Sequence, residues 1–165
     1  MTFTIATLQD IPVIRALAEK IWPPTYQAIL SPEQIRYMMH LMYSPDTLAR
    51  QINATEYTFL VFSEAGQPAG FAAFSPHTEA GVYKLHKIYL DPALQGQGLG
   101  RTMMDTVKQL VTGKGAHTLE LDVNRYNTAL RFYEKLGFTI YREKDTHIGE
   151  GYYMNDYVMR IGLGK

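Results

Sequence analysis

The sequence predicts an α/β (α+β) fold, a mixed central sheet of about seven strands flanked by helices. Three observations carry this. Seven short runs are rich in β-branched and aromatic residues, and five longer stretches space their apolar residues helically. Their order is strand, helices, three strands, helix, strand, helix, two strands, which suits a mixed sheet with helices on both faces. One strand also ends in a proline and a glycine-rich loop that lead straight into a strong helical pattern, Leu99 through Leu110.

Phe3-Thr4-Ile5-Ala6 is a short first strand. Asp10 stands where a helix cap belongs, Pro12 sits in the first turn, and Val13, Ile14, Leu17, Ala18 and Ile21 make one apolar face. This helix runs from 11 to about 21, and Trp22-Pro23-Pro24-Thr25-Tyr26 is expected to break it. Ser31-Pro32-Glu33-Gln34 opens a second helix through Met42, and Ser44-Pro45-Asp46 a third, to about Asn53. Tyr57 to Phe62 is a strand, Glu64-Ala65-Gly66-Gln67 a turn, and 67–74 the returning strand of a hairpin. Val82 to Leu90 is the fourth strand. Helix 99–112, strand 117–123, helix 127–136, strand 138–143 and a last strand near 152–161 follow. No repeat, low-complexity tract or linker interrupts the chain, so residues 1–165 are expected to form one domain.

Composition excludes several function classes. Lys and Arg number 16, as do Asp and Glu, so nothing steers the chain toward nucleic acid or an anionic membrane. There is no cysteine, which removes disulfides, thiolate metal sites and a cysteine nucleophile. The five histidines (40, 77, 86, 117 and 147) show no metal-ligand spacing, so no metal is expected. The first residues carry neither a basic run nor a long apolar one, and no apolar run approaches the roughly 20 residues of a membrane span. A cytoplasmic location without a membrane partner is the expectation.

The most informative stretch is Leu85-His86-Lys87-Ile88-Tyr89-Leu90-Asp91-Pro92, followed by Gln95-Gly96-Gln97-Gly98-Leu99-Gly100-Arg101. A strand, a glycine loop and a helix start together make an anion site. Backbone N–H groups at the helix start lack partners, and the macrodipole favours negative charge there. Glycines let a phosphate approach without meeting a Cβ. The spacing fits neither a P-loop nor the Gly-x-Gly-x-x-Gly dinucleotide fingerprint, whose third glycine would fall on Arg101.

What remains is Gln-x-x-Gly-x-Gly, from Gln95, Gly98 and Gly100. It resembles the coenzyme A loop of the GNAT family of N-acetyltransferases. About 25 residues on, after the alternating strand Leu119-Glu120-Leu121-Asp122-Val123-Asn124, come Asn127, Ala129, Tyr133 and Gly137-Phe138. They resemble the second GNAT signature, with the alanine shifted by one residue. The two signatures stand in the family's order and at its usual separation, and cover residues 84–141.

The resemblance implies the GNAT-type acyl-CoA N-acyltransferase fold and transfer of an acetyl group from acetyl-CoA to a primary amine, by direct attack in a ternary complex. It assigns the pantetheine and the acyl carbonyl to the backbone of Ile88, Tyr89 and Leu90, beside a strand that splays from its neighbour. It assigns the pyrophosphate to Gln95, Gly96, Gln97, Gly98, Leu99, Gly100 and Arg101, and further coenzyme contacts to Asn124, Asn127 and Tyr133. Tyr133 occupies the general-acid position, to protonate the departing thiolate; a packed helix aromatic is the competing reading. The base is more open. Strand alternation puts positions 84, 86, 88 and 90 on one face. The family often has a carboxylate where this chain has Lys84, so His86 becomes the candidate, against a structural histidine. Glu120 is a candidate for reaching the acceptor, against simply facing solvent.

In this fold the N-terminal helices and the last hairpin wall the acceptor pocket. Here they carry Trp22, Tyr26, Tyr37, Tyr43, Tyr152 and Tyr153 with Glu33, Asp46, Glu150 and Asp156. Rings with carboxylates suit a cationic amine. Ile21-Trp22-Pro23-Pro24-Thr25-Tyr26 resembles the corresponding part of polyamine-type acetyltransferases, which implies that Trp22 and Tyr26 contact a small, polyamine-like acceptor. Other readings are a protein N-terminus or an amino acid as acceptor, a non-catalytic acyl-CoA-binding or sensing module, and another phosphate binder on a related fold. The last strand, if exposed, could pair with a second copy, giving a homodimer.

Overall fold

The computed structural model describes residues 1–164. Seven strands are present: β1 (Thr2–Ile5), β2 (Thr58–Glu64), β3 (Gln67–Pro76), β4 (Val82–Leu90), β5 (Thr118–Asn124), β6 (Thr139–Gly149) and β7 (Tyr152–Gly162). They form one sheet in the order β1-β2-β3-β4-β5-β7-β6. Every neighbouring pair is antiparallel except β4 and β5. That parallel pair needs a crossover, and α4 (Leu99–Gly113) supplies it.

Both sheet faces are covered, which is why β2 and β3 read as continuous apolar runs. Leu60, Phe62, Ala72 and Phe74 point to one side, where Met103, Met104, Val107 and Val111 of α4 pack. α5 (Ala129–Lys135) adds Leu130, Phe132 and Tyr133 there. Phe59, Val61, Phe71 and Ala73 point to the other side. There they meet α1 (Ile11–Tyr26), α2 (Pro32–Tyr43) and α3 (Pro45–Asn53) through Ile14, Leu17, Ile21, Trp22, Met38 and Leu48. Among the described residues no helix is long and apolar enough to cross a membrane.

Five local expectations are corrected. α1 does not break at Trp22; it continues through Pro23 and Pro24 to Tyr26. Both prolines are exposed, so the carbonyls they orphan, on exposed Glu19 and Lys20, can turn to water. Ile21, Trp22 and Tyr26 meanwhile hold the last turn by packing. Asp10 does not cap α1: its Oδ2 accepts from the Thr7 backbone N–H at 2.8 Å. β6 is longer than expected, because Glu150 and Gly151 adopt positive φ and close a two-residue hairpin between Gly149 and Tyr152. β7 is consequently no edge: it lies between β5 and β6, and the edges are β1 and β6.

The fifth correction shapes the site. The β3–β4 register passes from Phe74–Leu85 to Ala73–Lys87, leaving His86 as the extra residue of a bulge. Alternation restarts there, so positions 84, 86, 88 and 90 do not share a face. Ile88 and Leu90 join Leu85 on the α4 side, while Lys87 and Tyr89 turn toward α1–α3.

Candidate active site

β4 pairs with β5 only from Val82 to Leu85. Beyond the bulge the two strands separate. On its other edge β4 stays bound to β3 as far as Leu90. The Asp91 N–H donates to Ala69 O at 2.8 Å, so by alternation Tyr89 faces β3 while Ile88 and Leu90 aim their backbone groups into the gap. Leu90 O indeed faces that way and accepts from Gln95 Nε2 at 3.5 Å. Ile88 and Leu90 thus present the open backbone edge that an extended amide chain can pair with.

The gap leads to the start of α4. Gly98 caps this helix with φ +80°, and Gly96 stands at +85°, conformations that side-chain-bearing residues rarely adopt. Gly100 has a different reason: a Cβ there would lie 3.2 Å from the Phe132 ring of α5, so α4 and α5 approach closely only without one. Asn127 Oδ1 accepts from Ala129 N–H at 2.9 Å and organises the start of α5.

Two cavities meet at the splay. The larger, about 600 Å³, runs from the α4 start along β4 and is lined by Ile88, Tyr89, Leu90, Gln95, Gly96, Gly98, Gly100, Asn127 and Tyr133. Gln97, Leu99 and Arg101 do not line it. The smaller, about 410 Å³, is walled by α1–α3 and by the β5 and β7 ends, with Trp22, Tyr26, Tyr43, Asn124, Tyr153 and Asp156. Tyr26, Leu85, His86, Lys87, Tyr89 and Asp122 line both and mark the junction. Most residues expected to hold the coenzyme thus line one cavity; of those expected to meet the acceptor, Trp22 lines the other and Tyr26 lines both. Asn124 belongs to the second; its Oδ1 is occupied by the Tyr126 N–H at 2.9 Å. Tyr37, Tyr152, Glu33 and Glu150 line a shallow separate depression, and Asp46 lines no cavity described.

The junction is rich in rings. Trp22 Nε1–H donates to Tyr43 Oη at 3.1 Å, Trp22 packs on Tyr26 at 4.6 Å, and the Tyr26 and Tyr89 hydroxyls hydrogen-bond at 2.9 Å. Burial pushes Tyr26 up to about 12 and raises Tyr133 well above the ordinary phenol. Tyr133 therefore carries its proton at neutral pH.

His86 stacks on Tyr57 at 4.8 Å, and its Nε2 bonds Ser75 Oγ at 2.7 Å. Its surroundings, then the charges of Lys87 and Lys84, push it down to about 4. It is neutral at pH 7 and a weak base. Glu120 lines neither cavity. It is buried and held by Lys84 at 2.8 Å and Arg160 at 2.9 Å. Burial alone would raise it, but Lys84 and Arg160 outweigh burial and hold it below the carboxylate range. Lys84 also bridges to Asp122, which Lys144 meets at 3.0 Å. For Asp122 too, the two ammonium groups outweigh burial. The carboxylate missing at position 84 is thus replaced by a cation that clamps β4 to β5.

Two groups were not singled out from sequence. Lys87 points its ammonium at the rings of Tyr43, Tyr57 and Phe59, 5.5, 5.8 and 5.5 Å from their centroids, and burial pushes it down to about 8. Asp156 was only one of four acidic residues near the pocket. It is 4% exposed, and burial, then the Asp122 charge, push it up to about 6. The bulge hid Lys87, and the β5–β7 register hid Asp156; neither leaves a local sequence signal.

A family model described as an acetyltransferase (GNAT) domain matches residues 26–160. The L-methionine sulfoximine/L-methionine sulfone acetyltransferase of Salmonella typhimurium is 31% identical over 88 residues, 51% of this chain and 52% of that protein. The match thus spans only about half the length of that relative. The spermidine N(1)-acetyltransferase of Thermoplasma acidophilum is 25% identical over 137 residues, covering 81% of this chain and 85% of that one. The crystal structure of PaiA N-acetyltransferase from Thermoplasma acidophilum, in complex with coenzyme A, superposes with a TM-score of 0.81 over 98% of this chain and 99% of that one, at 24% identity. At that identity the likeness establishes the fold.

Proposed function

Because the chain belongs to the acetyltransferase (GNAT) domain family, we propose that it transfers an acetyl group from acetyl-CoA to the primary amine of a small molecule, by direct attack in a ternary complex. One observation carries this: a cavity that can take an extended thioester and a cavity that can take an amine meet at the β4–β5 splay. In this reading Ile88 and Leu90 pair with the pantetheine, and a backbone N–H there receives the developing oxyanion. The loop from Gln95 to Gly100 and the start of α4 hold the pyrophosphate, and Asn127 flanks the pantetheine arm. Tyr133 delivers a proton to the thiolate, whose conjugate thiol has a pKa near about 8.5.

A polyamine-like acceptor is supported by Trp22, Tyr26 and Asp156 around one cavity, and by the spermidine-acetylating relative. A second reading, an amino acid, is favoured by Lys87 and Arg50 lining the same cavity, since they suit a carboxylate, and by the methionine sulfoximine-acetylating relative. We further propose that residues 1–165 act as one cytoplasmic domain and that two copies pair along β6, where Ile140 and Tyr141 are exposed. Thiol release from acetyl-CoA against polyamines, amino acids, aminoglycosides and short peptides tests the activity. Turnover with one class identifies the acceptor; coenzyme binding without turnover on any of them overturns the enzyme reading in favour of a sensor.

A further inference from the structure

We propose that Asp156 is the carboxylate that receives the acceptor's ammonium group and takes its first proton. The inference rests on the functional reading above and deepens it.

Among the described residues three charged ones are buried: Asp91, Glu120 and Asp156. The first two are engaged. Asp91 takes Lys20 at 2.6 Å and the Ala93 N–H at 3.0 Å, and Glu120 takes Lys84 and Arg160. Asp156 differs. Among the described residues no donor reaches its carboxylate; only its backbone carbonyl meets a side chain, Arg125 Nη1 at 3.2 Å. Its carboxylate oxygens are not sealed in the core, where among the described residues Gln51 Oε1 is the buried side-chain atom without a partner; they open onto the smaller cavity that Asp156 lines. An ammonium group entering that cavity would supply both the missing charge and up to three N–H donors.

The groups facing Asp156 are Asp122 from β5, Lys84 from β4, Lys144 from β6, Arg125 from the loop after β5, and Tyr26 from α1. The cations are committed elsewhere: Lys84 to Glu120 and Asp122, Lys144 to Asp122, and Arg125 to Asp145 and Glu143. Tyr26 lines both cavities and bonds Tyr89, so an ammonium held by Asp156 lies beside the junction. With a pKa near 6, Asp156 is ionised at neutral pH yet more basic than an ordinary carboxylate.

The step balances. One ammonium proton passes to Asp156, and the freed nitrogen pair forms the C–N bond to the acyl carbon. Collapse breaks the C–S bond, and the thiolate takes the Tyr133 proton. The nitrogen's second proton restores Tyr133, and the proton on Asp156 leaves to water.

The test compares wild type with Asp156→Asn on the best acceptor of the panel, with kcat/KM measured from pH 5 to 9, acetyl-CoA binding by calorimetry, and thermal melting. Expected are a loss of about 100-fold or more in kcat/KM, disappearance of an acid limb near pH 6, unchanged acetyl-CoA affinity and no drop in melting temperature. A variant within threefold of wild type that keeps the acid limb overturns the inference alone. A wild type that acetylates nothing overturns the functional reading, and this inference with it. If the variant does not fold, the wild-type profile decides: no acid limb between pH 5 and 7 overturns the assignment.

Discussion

Replacing Asp156 by Asn is expected to stabilise the protein, and by an amount that depends on pH. The carboxyl titrates near 6 in the fold, against 3.8 for the free side chain. At about 1.4 kcal/mol per unit, that difference is worth about 3 kcal/mol. The sign follows from the raised value. Between pH 3.8 and 6 the folded chain binds more protons than the unfolded one. Stability from this group is therefore fully present below 3.8 and lost as pH rises through 6. Above pH 7 the wild type carries the whole burden of an ionised, buried carboxylate, and Asn of nearly the same shape does not. Urea unfolding of both proteins should give a gain of about 3 kcal/mol at pH 7.5, falling to about half of that at pH 5. Groups that do not sense Asp156 are common to both proteins and cancel in the difference; its neighbour Asp122, relieved of a like charge, adds to the gain at pH 7.5. A variant less stable than wild type at pH 7.5, or a gain that does not change with pH, would refute the picture of an uncompensated charge.

Tyr133→Phe should lower kcat by roughly 10- to 100-fold while acetyl-CoA binding, measured by calorimetry, stays unchanged, because only the proton is removed. Gly98→Ala meets no atom within 4 Å but must hold φ +80°, so it should cost about 1 kcal/mol of stability by denaturant titration and weaken acetyl-CoA affinity. Lys84→Met should cost about 3 kcal/mol, since the buried Glu120 and the half-buried Asp122 lose a shared cation. In the same variant the activity at saturating acceptor should fall less than in Asp156→Asn, which steady-state kinetics on the two proteins checks.

Seven strands and five helices were legible because their signals are local: alternation, helical spacing, Pro at helix starts and Gly at turns. The cavity proposed for the coenzyme was legible for the same reason. Gln95, Gly96, Gly98 and Gly100 are near neighbours, and their backbone conformations leave a mark in residue type. The cavity proposed for the acceptor was not. Trp22 and Tyr26 could be named as rings at the end of a helix, but the helix was expected to stop short of Tyr26. Its continuation depends on the packing of Ile21 and Trp22, which proline rules do not include. Glu120 and Asp156 looked alike, as acids on strands, yet Glu120 is ion-paired to two cations and Asp156 to none, the cations near it being bonded to other carboxylates.

By itself, then, the chain determined its element types, their order and the phosphate-compatible loop, all set by residues within a turn or two of one another. The tertiary structure decided which face each β4 residue takes, because one extra residue at His86 reverses every side chain after it. It also decided which carboxylate is left without an ion-pair partner. That depends on the lateral register of β4, β5, β7 and β6, which brings Lys84, Asp122, Lys144 and Asp156 together from positions far apart in the chain. Charge balance in a buried cleft sums over strands, and no single stretch of sequence contains that sum.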